Sequence, residues 1–74
     1  FTVTALNWIS GVAPEKTELQ VKVRHGEKMY HAQLTWLSGM SVKVQLESKD
    51  QGIASGQFAV FYDEGFCLGG GVIV

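Results

Sequence analysis

The sequence contains one cysteine (Cys67), one proline (Pro14) and two histidines (His25 and His31) in 74 residues. A lone cysteine closes no internal disulfide, and two imidazoles with one thiol give no four-ligand zinc spacing. The fold must therefore be held by packing. No apolar run approaches the roughly 18 residues that cross a bilayer, and the first residues show no basic segment ahead of an apolar core, so the chain reads as soluble. Charge is scarce as well, at 18% of residues with a formal net charge of -1. That balance provides no global field for a polyanion. It excludes a histone-like or tail-like protein and leaves nucleic-acid contact to a local patch. Internal repeats and low-complexity segments are missing, which removes solenoids and propellers.

What is present is apolar: 46% of positions, too much core-forming material and too little charge for a disordered chain. At this length the chain is one domain, residues 1–74, burying about 60% of its unfolded surface. The chain starts at Phe1 and stops at Gly71-Val72-Ile73-Val74, so it is expected to be a fragment of a larger protein.

Nine glycines punctuate the chain. They leave segments of about 7 to 13 residues, the length of strands with turns. Leu19, Val21 and Val23 alternate with Gln20, Lys22 and Arg24. Tyr30, Ala32, Leu34 and Trp36 alternate with His31, Gln33 and Thr35, and Val42, Val44 and Leu46 with Lys43, Gln45 and Glu47. Further strands are expected from Thr2 to Ile9, over Phe58–Tyr62, and from Phe66 to Val74, with a turn at Asp63-Glu64-Gly65. Phe58–Tyr62 is apolar on both faces, which suits a central strand. Gly69-Gly70-Gly71 marks a bulge, a bend at a barrel corner, or the close approach of another backbone. Six short strands are too few for two packed sheets, and open apolar edges would invite aggregation. The expectation is an all-β fold, a small closed or nearly closed six-stranded antiparallel barrel. Its interior would hold Leu19, Val21, Val23, Leu34, Trp36, Val42, Val44, Phe58 and Val60.

Candidate chemistry is thin. His25 and His31 flank Gly26-Glu27-Lys28 but lack a third metal ligand, so no metal is expected. Cys67 lies between Phe66 and Leu68 and reads as a small buried hydrophobe rather than a nucleophile. The triple glycine is followed by Val72-Ile73-Val74, a strand and not the helix a phosphate cradle needs. Asp63 and Glu64 are adjacent, so in extended chain they point to opposite faces and form no acid–base pair. The remaining feature is basic: Lys22, Arg24, His25, Lys28 and His31 fall within one predicted hairpin, with Lys22 and Arg24 outward. Such a patch can hold RNA phosphates. It can also simply keep a strand soluble, and Glu18 and Glu27 partly offset it.

Gly56-Gln57-Phe58-Ala59-Val60-Phe61-Tyr62, followed by Cys67-Leu68-Gly69-Gly70-Gly71-Val72-Ile73, resembles the C-terminal signature of the tRNA-specific 2-thiouridylases (MnmA/TrmU family). Asn7-Trp8-Ile9 and Val21-Lys22-Val23-Arg24-His25-Gly26 are similar to upstream strands of that family. A departure is Ala54-Ser55-Gly56-Gln57, where the family commonly has proline just before Gly-Gln. The resemblance implies a C-terminal β-barrel, similar to the barrel domains of translation factors, attached to a larger enzyme. That parent would thiolate the wobble uridine of tRNA, using ATP as cofactor and a persulfide as sulfur source. The family's ATP loop and catalytic cysteines have no counterpart here, so the resemblance implies an inactive fragment with no catalytic residue and no cofactor of its own. Its implied partners are the tRNA anticodon arm, the parent's N-terminal catalytic domain and a sulfur-relay protein. The expected location is the cytoplasm, or an organelle for a eukaryotic source. A rival reading is a non-catalytic barrel that packs on the catalytic domain or a relay partner. An exposed apolar patch around Phe61, Phe66 and Leu68 would favour it.

Overall fold

In a computed structural model, residues 1–23, 29–47 and 53–74 are described. They form six strands: β1 (Thr2–Trp8), β2 (Glu18–Val23), β3 (Met29–Ser38), β4 (Ser41–Leu46), β5 (Phe58–Asp63) and β6 (Phe66–Ile73). No helix is present among the described residues. The strands close into a barrel in the order β1-β4-β3-β2-β5-β6, with every neighbouring pair antiparallel. The expected six-stranded barrel is therefore the fold. Closure gives each strand two hydrogen-bonded neighbours and leaves no edge.

Alternation placed three strands correctly. Leu19, Val21 and Val23 of β2, Tyr30, Ala32 and Leu34 of β3, and Val42 and Val44 of β4 are all buried, while Trp36 packs partly buried against this core. On β5 the expectation fails. Phe58 is 65% exposed and Val60 half-buried, whereas Ala59 and Phe61 are fully buried. Both faces of this strand are apolar, so its sequence does not distinguish them. Its pairing with β6 decides: Ala59 lies opposite Gly71 and Phe61 opposite Gly69, and both glycines are buried positions.

The glycine run marks a close approach of backbones. A Cβ on Gly70 would meet the carbonyl oxygen of Ala59, and one on Gly71 the carbonyl oxygen of Thr4 and the Val3 side chain. The register of β1 against β6 also shifts between Thr4 and Asn7, a bulge at which Ala5 takes a φ of 52°. At the β5–β6 hairpin, Glu64 (φ 51°) and Gly65 (φ 87°) both adopt left-handed backbone, the pattern of a type I′ turn. The expected turn at Asp63-Glu64-Gly65 is thus present.

Strand direction alternates around the ring. The β1–β2, β3–β4 and β5–β6 connections therefore share one end, and Phe1 and Val74 lie at the other. Trp8, Trp36 and Phe61 fill the first end, with Trp8 5.8 Å from Trp36 edge-on and 5.6 Å from Phe61. Phe1, Leu46 and Ile53 pack against the core from the second. The Phe1 ammonium donates to the Val44 carbonyl at 2.8 Å. No polar or charged residue is buried among the described residues.

Candidate nucleic-acid interface

Of the five basic candidates, Arg24, His25 and Lys28 lie outside the described residues. Lys22 and His31 are described, and both face outward from the β2–β3 pair. Lys22 is opposite Met29 on one side and Val60 on the other, and His31 is opposite Gln20. The two are thus diagonal neighbours on one sheet face, roughly 7–8 Å apart at Cα. The stem of Lys22 is half-buried, and its ammonium lies 5.7 Å from the centre of the Tyr62 ring. That contact with the ring's negative face pre-positions a cation on a flexible stem.

His31 is in different company. It shares a shallow cavity of about 240 Å³ with Glu18, Glu47 and Asp63, and its carbonyl accepts a hydrogen bond from the Glu47 amide at 3.0 Å. With Glu18, Glu47 and Asp63 lining the same cavity, the potential there is less favourable to phosphate than it is over Lys22. Asp63 is itself engaged by Lys16, whose ammonium donates to Oδ1 at 3.1 Å. The hydrogen bond and the charge of Asp63 hold the Lys16 pKa above its ordinary value. The structure thus brings Lys22 and His31 onto one face but gives them unlike surroundings. Among the described strand residues, Lys43 on β4, opposite Thr35 of β3 and Thr2 of β1, is an outward cation that the basic cluster does not include. Its alternation with Val42 and Val44 was the signal that placed it outside, and it lies in a different predicted hairpin from the basic cluster.

Other chemistry does not assemble. Among the described residues no three His, Cys, Asp or Glu side chains are grouped to hold a metal. Cys67 is exposed, not buried as expected. It sits two residues before Gly69, across a break in register at which Phe61 pairs with Gly69 but Tyr62 with Cys67, so the alternation that buries Gly69 and Gly71 does not continue to it. Its groove, about 350 Å³, is lined by Ile9, Ser10, Val12, Ala13, Pro14 and Leu68 and has no histidine. His31 is on β3, whose neighbours β4 and β2 are both distinct from β6.

The Aminomethyltransferase beta-barrel domain family matches residues 1–73. This chain belongs to that family. Curated relatives of the barrel domain are tRNA-specific 2-thiouridylases MnmA, so the resemblance drawn from the glycine-rich signature is borne out. The protein of Shewanella sp. (strain MR-7) is 36% identical over 96% of this chain, and that of Rippkaea orientalis (strain PCC 8801 / RF-1) 38% over 97%. The protein of Francisella tularensis subsp. novicida (strain U112) is 37% identical over 93%. The chain spans about a fifth of the length of these relatives, 19%, 21% and 20% respectively. No solved structure matches the barrel domain.

Proposed function

We propose that this chain is the accessory tRNA-holding barrel of a longer tRNA-uridine 2-sulfurtransferase. The observation that carries the reading is identity of 36–38% to proteins named tRNA-specific 2-thiouridylase along nearly the whole barrel. The parent activates the wobble uridine with ATP and receives sulfur from a persulfide, and those steps belong to polypeptide outside the barrel. The barrel's part is positional. An enzyme acting on a flipped base needs phosphate and sugar contacts that fix the folded RNA while the base enters a separate site. Lys22, poised over Tyr62, is the described cation best suited to this, together with Arg24, His25 and Lys28 of the same hairpin. His31 contributes less because of Glu18, Glu47 and Asp63.

The test is 2-thiouridine formation by the full-length parent given ATP, a persulfide donor and tRNA, compared with the parent lacking residues 1–74. The expected result is thiolation by the full-length protein and a loss of tRNA affinity in the truncation. Equal affinity and equal rate without the barrel would remove the holding role.

The exposed patch around Phe61, Phe66 and Leu68 that would favour a packing role there is not assembled, because Phe61 is fully buried, which leaves Phe66 at 75% exposure beside a half-buried Leu68.

A further inference from the structure

The outside of the barrel has two unlike sides. Outward positions on β2, β3 and β4 are mostly polar, among them Gln20, His31, Gln33, Thr35, Lys43 and Gln45, with Met29 and Leu37 at the two ends of β3 the apolar exceptions. On β5 and β6 they include Phe58, Val60, Gly70 and Val72. A groove of about 280 Å³ runs over Gly69–Gly71, with Phe58 and Val60 on one bank and Ala5, Asn7 and Ile9 on the other. Its floor is bare backbone by necessity, because a Cβ on Gly70 would collide with the Ala59 carbonyl.

We infer that this groove is an intramolecular docking site, covered in the full-length protein by an apolar element of the same polypeptide. Two observations select that occupant. The relatives are about five times as long as this chain, which makes up 19–21% of them, so most of the parent lies outside the barrel. Phe1 and Val74 leave the barrel together: the Val74 amide donates to the Thr2 carbonyl at 3.0 Å, and Phe58 pairs with Val72 beside them. Polypeptide joined at either terminus therefore starts next to Phe58, and a short tether gives it a high effective concentration at that groove. Phe58, at 65%, and Val74, at 60%, are left exposed at this end. Phe66 lies at the opposite end, beside Asp63 with its Lys16 ion pair and Glu64, and is not part of the site.

The inference rests on reading the chain as one domain of a longer parent, and tRNA has no part in it. The test is hydroxyl-radical footprinting of the tRNA-free, full-length protein. It compares oxidation of Phe58 with that of Phe66, each normalised to the unfolded chain. The two rings have similar exposure in the barrel, 65% and 75%, so an uncovered groove gives rates close to equal. The expected result is a rate for Phe58 at least threefold below that of Phe66, unchanged on tenfold dilution. A smaller difference overturns the inference. So does protection that disappears on dilution, which would mean that a second copy covers the groove. Either failure leaves the tRNA-holding reading untouched, since that is read from tRNA affinity.

Discussion

Trp8 and Phe61 meet over Gly69. Both pair directly with that glycine, Trp8 from β1 and Phe61 from β5, and their ring centroids are 5.6 Å apart at a 37° tilt. A Cβ on Gly69 would run into the Asn7 carbonyl and the Trp8 ring, and its φ of 147° is one that side chains resist. Aromatic rings that lean over a glycine replace the packing its missing side chain cannot give. Gly69→Ala is expected to cost about 2–4 kcal/mol, near the whole stability of so small a domain. Gly39→Ala, at a position with nothing within 4 Å of the added Cβ, should stay within about 0.5 kcal/mol. Urea titration of both variants checks the contrast.

The assignment of faces on β5 makes a second test. Phe61→Ala removes a fully buried ring and is expected to cost about 3–5 kcal/mol. Phe58→Ala, at 65% exposure, should cost less than about 1 kcal/mol in the isolated barrel. A reversed order in thermal or urea unfolding would return Phe58 to the interior.

Glu64 occupies left-handed backbone at φ 51°, a region that costs an ordinary residue about 1 kcal/mol and suits asparagine or glycine. Glu64→Asn is expected to stabilise the barrel by about 0.5–1 kcal/mol, read as a higher urea midpoint at unchanged slope.

For the tRNA-holding role, Lys22→Ala, Arg24→Ala and Lys28→Ala combined in the full-length parent should lower affinity by similar factors for different tRNA sequences. The salt dependence should flatten by roughly 0.7–0.9 unit of log–log slope for each phosphate that is no longer neutralised. Base selectivity should barely move. Unchanged affinity and slope, with the barrel folded, would assign these cations to solubility.

Of the five basic candidates, the orientation of the two described ones was legible in the sequence. The alternation on β2 and β3 turned Lys22 and His31 outward, as found. Their unlike surroundings were not legible. Glu18, Glu47 and Asp63 come to His31 from β2, from the residue after β4 and from β5, so their convergence depends on which strands are neighbours. The exposure of Cys67 was hidden for a related reason: flanking apolar residues report local polarity, whereas the register break beside Cys67 is set by how β6 pairs with β5.

The sequence by itself determined that this chain is all-β, where its strands lie, and which way they face wherever one side is polar and the other apolar. It also carried the glycine-rich signature of the family. The tertiary structure alone decided the facing of β5, the pairing of β1 with β4 and β6, and the separation of the outer surface into a polar and an apolar side. The physical reason is that a period of two encodes orientation only through a difference between faces. Where both faces are apolar, as in Phe58-Ala59-Val60-Phe61, volume decides, and the volume that Phe61 fills is set by Gly69 and Trp8 on strands that only barrel closure brings together.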